Sequence, residues 1–150
     1  MARTPYGLSK YATSTVKSLN GSEYIASIWW TGTGAGEVWN LSSNGMNLNW
    51  ESEKVQDKNS PILASKLTME VMVENATQEA FLQNMRNNLQ EKDVWVVLET
   101  AAGDLLWSGY FILDLESKED VSFPYVTSLV AIDGIATLKE VPFLRETNSI

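Results

Sequence analysis

Apolar and polar positions alternate most cleanly over residues 66–74. Leu67, Met69, Val71 and Val73 fall on one side, and Lys66, Thr68, Glu70 and Glu74 on the other, with Met72 the exception. A period of two held this long predicts a half-buried antiparallel strand. Residues 23–31 read the same way: Tyr24, Ala26, Ile28 and Trp30 share one face, Ile25, Ser27, Trp29 and Thr31 the other. Because Trp29 and Trp30 are adjacent, they point to opposite sides. Both faces of that strand therefore carry an indole, so it lies between two layers or offers one Trp to a partner. Residues 31–36 (TGTGAG) predict a flexible hairpin tip, with 37–41 as the return strand. Asn44-Gly45 predicts a turn before a short strand over 46–50 that carries Met46, Leu48 and Trp50 on one face.

Residues 94–140 read as the organising unit. The apolar run 94–99, a turn at Ala101-Ala102-Gly103-Asp104 and the run 105–113 predict a hairpin, and 126–132 a third strand. Asp133 is placed to cap a short helix over about 133–140, with Lys139 near its C-terminal end and Pro142 stopping it. The period changes to helical at about residues 77–90. There Phe81, Met85 and Leu89 recur at i, i+4 and i+8 with Leu82 beside them, and Asn75 or Thr77 stands ready as the cap. Gln78, Gln83, Asn84, Arg86 and Asn87 read as the polar side of that helix.

Short strands, mostly in hairpins, with one inserted helix predict a mainly β (α+β) fold. The expected architecture is an antiparallel β-sandwich or barrel with one flanking helix and a short C-terminal helix, not a parallel doubly wound sheet. Residues 1–22, rich in Ser, Thr, Gly and Lys, read as a flexible arm, or as one that docks on a neighbour through Tyr6, Leu8 and Tyr11. Residues 23–145 form the single domain expected of a 150-residue chain, and 146–150 a tail. Residues 51–60, the most polar segment, predict a long loop of the kind that often carries function.

Composition narrows the chemistry. The chain has no Cys and no His, which removes disulfides, thiolate metal sites, Cys nucleophiles and the commonest general base. A formal charge of −8 sets the protein as a whole against binding nucleic acid. Neither a signal-peptide pattern nor a membrane span of about 20 apolar residues is present, so folding in a cytoplasm is expected. The stretch Gly32-Thr33-Gly34-Ala35-Gly36 lacks the following helix that a phosphate loop needs and reads as a hairpin tip. Asp114 and Glu116 have the residue types of a carboxylate pair or of calcium ligands, but without an alternating ligand loop they read as a solvated acidic segment. Ser65-Lys66 sits at a strand start, where adjacent side chains diverge and do not form a catalytic pair. No catalytic residue, cofactor or metal is expected. Six Trp and five Tyr read chiefly as core, with exposed indoles as interface anchors.

Over residues 60–143 the chain resembles bacteriophage tail-tip, distal-tail and baseplate-hub proteins. The likeness rests on Trp107-Ser108-Gly109-Tyr110, on Pro124-Tyr125, on the ending Ala131-Ile132-Asp133-Gly134-Ile135-Ala136-Thr137-Leu138-Lys139, and on the strand entry Ile62-Leu63-Ala64-Ser65-Lys66-Leu67. The resemblance implies a tail-tube-like β fold with a flanking helix and a loop that reaches a neighbour. It implies a structural virion component, assembled in the bacterial host cytoplasm, that forms a trimeric or hexameric ring joined to other tail proteins. DNA would pass through its lumen without specific binding. Trp29, Trp30, Trp39, Glu51, Glu53, Lys54, Asp57 and Lys58 are the expected subunit contacts. The alternative is a carbohydrate-binding module using surface Trp and Tyr.

Overall fold

The structure, a computed structural model, describes residues 7–50, 65–90, 92–112 and 122–133. The loop 51–60, the acidic segment 114–120, the C-terminal helix expected beyond Asp133 and the tail 146–150 lie outside the described residues. The strands are β1 (Ser9–Lys17), β2 (Glu23–Trp30), β3 (Glu37–Val38), β4 (Leu41–Trp50), β5 (Ser65–Val73), β6 (Val94–Thr100), β7 (Leu105–Phe111) and β8 (Tyr125–Ile132). One helix, α1 (Ala76–Asn87), stands between β5 and β6. The fold is mainly β with a flanking helix, as the alternation and the single helical stretch predict.

All eight strands join one sheet in the order β3-β1-β2-β6-β7-β8-β5-β4. β3 and β4 are its two ends, yet only Trp39 and Asn40 separate them in the chain. Three Cα steps of 3.8 Å reach at most about 11 Å, so the two ends of the sheet must come together there. The sheet is therefore curled into a half-barrel rather than split into a sandwich. Backbone bonds pin the junction: Trp39 N–H donates to the Thr13 carbonyl on one edge, and Met72 N–H to the Asn40 carbonyl on the other, both at 2.9 Å.

The inner face is the core. Leu67, Met69, Val71 and Val73 of β5 are at most 1% exposed, and they meet Ala26 and Ile28 of β2, Val94, Val96 and Leu98 of β6, and Leu129 and Ala131 of β8. Each of the Val, Leu, Ile and Met side chains among them contributes about 1.5–3 kcal/mol on burial. Helix α1 adds Phe81, Leu82 and Met85 to the same cluster. Asn75 caps it by accepting from the Gln78 N–H at 2.9 Å.

Gln78 departs from the polar role expected of it. It is 2% exposed, with Nε2 donating to the Met72 carbonyl and Oε1 accepting from the Glu74 N–H. It lies three residues before Phe81, on the buried stripe, and satisfies the backbone where the strand turns into the helix.

Three further expectations change. Residues 9–17 of the expected arm are strand β1, paired along its length with β2. Its fully buried positions are small, Ala12 and Ser14, so the alternation carries little hydrophobic contrast. Residues 37–41 are not the return strand of a hairpin: β3 pairs parallel with β1, Ala12 facing Glu37, and the chain then crosses to the far edge. Asn44-Gly45 makes a bulge within β4 rather than a turn. The register jumps from Leu41↔Val71 to Met46↔Met69, so residues 42–45 face only Glu70. That carboxylate holds the bulge by accepting from Ser42 Oγ at 2.7 Å and Asn44 Nδ2 at 3.0 Å, while Gly45 takes a φ of +60° that favours glycine.

Candidate functional site

The aromatic residues do two separate jobs. On the inner face Tyr11, Trp30, Trp39 and Phe81 form one cluster. Tyr11 stacks on Phe81 with ring centroids 3.7 Å apart, and Trp30 and Trp39 meet Phe81 edge-on at 5.2 and 5.7 Å. A bulge between Lys10 and Ala12 inserts Tyr11, which joins that inner cluster. Burial, and then the charge of Glu37, push its phenol above the usual tyrosine range. On the other face Trp29, Trp95 and Tyr110 pair across β2, β6 and β7. Lys10 Nζ lies 5.2 Å over the Trp29 ring and Lys92 Nζ 5.7 Å over Tyr110.

The expected contact residues are therefore dispersed. Trp39 is 2% exposed and belongs to the core, and Trp29 is buried on the opposite face. Trp30 is half-buried against Tyr11 and Phe81, with Nε1 donating to the Thr33 carbonyl at 2.8 Å. Each indole is taken up within its own chain, Trp30 and Trp39 against Phe81 and Tyr11 on the inner face, and Trp29 beside Trp95 and Lys10 on the other. Glu51, Glu53, Lys54, Asp57 and Lys58 lie outside the described residues. Among the described tryptophans only Trp50, the last residue of β4, is strongly exposed, at 59%.

Four residues from the stretches quoted for the phage-tail likeness, Ser65, Trp107, Gly109 and Asp133, come together as a buried clasp, while residues 62–64 and 134–139 lie outside the described residues. Trp107 and Gly109 share the inner face of β7, and the indole lies over the glycine. A Cβ on Gly109 would collide with Trp107 Cη2 and with the Ile132 carbonyl oxygen, so only glycine fits. Trp107 Nε1 donates to Ser65 Oγ at 2.7 Å, and Ser65 Oγ in turn donates to Asp133 Oδ2. The Ser65 N–H also reaches Asp133 Oδ2, at 3.0 Å, while the Asp133 N–H donates to the Ser65 carbonyl at 3.3 Å. The clasp ties the starts of β5 and β7 to the end of β8. It is closed to solvent, which gives these residues a role in the fold.

Two open features remain. The first is the outer edge of β4. β4 ends the sheet and its ladder partner is β5 alone, so among the described residues a ten-residue strand presents an unpaired backbone edge. The second is the mouth of the half-barrel, a cleft of about 830 Å³. Its walls are inner-face residues left half-buried, Val16 and Tyr24 on one flank and Leu41, Met46 and Leu48 on the other, over Leu67, Leu98 and Trp39. Lys17 is the one charged group among its described lining residues. Sequence reasoning passes over this mouth because the walls come from strands far apart in the chain. A lone Leu19 inside the turn sequence Ser18-Leu19-Asn20-Gly21 is the one local signal of it.

Among the described residues no three His, Cys, Asp or Glu side chains gather to hold a metal, and no helix is long and apolar enough to cross a membrane. No known protein family, curated protein or solved structure matches the chain.

Proposed function

We propose that this chain is a non-enzymatic structural subunit that assembles edge to edge with copies of itself, as a tail-tip or hub component of a phage or phage-like injection particle. The observation that supports assembly is the free edge of β4. An exposed strand edge is a pairing template that monomeric proteins usually shorten, cover or charge. Here it runs from Leu41 to Trp50 and ends on an exposed indole, beside the polar segment 51–60. A closed ring removes such edges by symmetry. The tail assignment itself rests on the sequence likeness carried by Trp107, Gly109 and Asp133. The acidic charge of −8 suits a subunit past which DNA must slide without sticking.

Deleting residues 51–60 tests this reading. The expected result is a chain with an unchanged β-type circular dichroism spectrum that no longer forms three- or six-membered rings by light scattering and negative-stain imaging. Rings of unchanged size in the deletion variant sink the role of the segment. A wild-type chain that forms no ring, alone or with neighbouring tail proteins, sinks the ring.

A further inference from the structure

Two asparagines in the chain precede a glycine, Asn20-Gly21 and Asn44-Gly45. With no Cβ on the following residue, the glycine nitrogen is unhindered. It can reach the asparagine side-chain carbonyl carbon and close a succinimide ring. The structure treats the two sites differently. At the first, the attacking nitrogen is engaged, because the Gly21 N–H donates to the Ser18 carbonyl at 2.9 Å. The Asn20 side-chain carbonyl is engaged as well: Oδ1 accepts from the Ser22 N–H at 3.1 Å and from Ser18 Oγ. At the second, residues 42–45 have no ladder partner and Asn44 is exposed. Among the described residues its side-chain amide is held at one point, by Nδ2 donating to Glu70 Oε2 at 3.0 Å.

We propose that Asn44 is a site of spontaneous deamidation that unlocks the β4 bulge. The Gly45 nitrogen gives up its proton and bonds to Asn44 Cγ. The Cγ–Nδ2 bond breaks, and Nδ2 takes a proton and leaves as ammonia. Water then opens the ring at either carbonyl. One opening leaves aspartate; the other leaves isoaspartate, with the main chain routed through Cβ. Water is consumed and ammonia released, and nothing is oxidised or reduced. The product matters because of what Asn44 touches. Glu70 Oε2 accepts from Ser42 Oγ at 2.7 Å as well as from Asn44 Nδ2. Deamidation replaces the Asn44 donor by a carboxylate, which only accepts and carries the same charge as Glu70. Like charges on neighbouring strands repel, so the bond that closes the bulge becomes one that opens it. The isoaspartate product also adds a methylene to the main chain within the bulge. The chain thus carries a one-way chemical change of β4 that needs no partner. It stands whether or not copies assemble through the β4 edge.

The test is to age the full chain at neutral pH, folded and in denaturant, and to map its peptides by mass, with enzymatic methylation to detect isoaspartate. In the folded chain, residue 44 is expected to convert from amide to acid about tenfold faster than residue 20, the factor that one additional hydrogen bond makes. In denaturant the two convert alike. Asn44→Asp carries the aspartate product from the start. It is expected to melt about 2–4 °C below the wild type, the shift of a lost hydrogen bond in a chain of this size. Adding Glu70→Gln to that variant turns the repulsion back into a hydrogen bond and recovers most of the shift. Conversion of residue 44 in denaturant with none in the folded chain overturns the site. Conversion of residue 20 ahead of residue 44 in the folded chain overturns the role given to the hydrogen bonds at each. An Asn44→Asp variant that melts with the wild type, or one that Glu70→Gln fails to restore, overturns the unlocking of the bulge.

Discussion

β5 and β4 lie side by side in the same sheet, carry the same alternation, and end in opposite states. Leu67, Met69, Val71 and Val73 are at most 1% exposed, whereas Leu41, Met46 and Leu48 are half-buried and Trp50 is largely in solvent. β5 is paired on both edges, by β4 and β8. β4 has one ladder partner and a four-residue bulge opposite Glu70, and across the cleft from it β1 makes no ladder with it. Alternation thus reports which side chains face inward, but not how far inward the strand sits. The side of the barrel built from β2, β6, β7, β8 and β5 is a continuous antiparallel ladder. The side built from β1, β3 and β4 is a seam, held at one end by Trp39 and Asn40 and open at the other.

Phe81 is where the two sides are joined, because its ring touches Tyr11 of β1, Trp30 of β2 and Trp39 of the crossover. Phe81→Ala is expected to cost about 4 kcal/mol by chemical denaturation. Hydrogen exchange should rise first in β1 and β3 and last in β5. Equal loss of protection in both sides would mean that the seam is not the weaker half.

Ser65→Ala acts on the closed side alone. It leaves the Trp107 indole N–H and an Asp133 oxygen without the hydroxyl that joins them, at an expected cost of about 2 kcal/mol. A loss below about 0.5 kcal/mol in a denaturant titration would show that the clasp adds no stability.

The smallest effect belongs to the seam. Gly45 has a left-handed φ of +60°, with open space where an alanine Cβ would sit, so Gly45→Ala meets backbone strain and no clash. About 1 kcal/mol is expected, with an unchanged denaturant slope. A loss near 3 kcal/mol would mean that the bulge bears on the core as β5 does.

The likeness to tail proteins and the fold meet at the clasp. Trp107, Gly109 and Asp133 belong to the stretches quoted for the resemblance, and the structure places them together with Ser65. The indole needs a glycine two residues on, and the carboxylate must end β8 to reach Ser65. Trp107, Gly109, Ser65 and Asp133 thus serve to close this sheet, and the β4 edge that supports assembly is built from other residues.

Local pattern determined the β-rich class, the β5 face, the β6–β7 hairpin and helix α1, and narrowed its cap to Asn75 or Thr77, because period and capping are properties of neighbouring residues. Residues 9–17 gave no such signal, because a strand with Ala12 and Ser14 inside shows little contrast in hydrophobicity. Only the tertiary structure decided that residues 37–38 pair parallel with β1, that Asn44-Gly45 bulges instead of turning, and that Trp29 and Trp39 are consumed within the chain. These outcomes depend on which strands become neighbours when the sheet curls. That is settled by long-range packing around Phe81 and by the two-residue crossing at Trp39-Asn40, and neither leaves a periodic mark on the sequence.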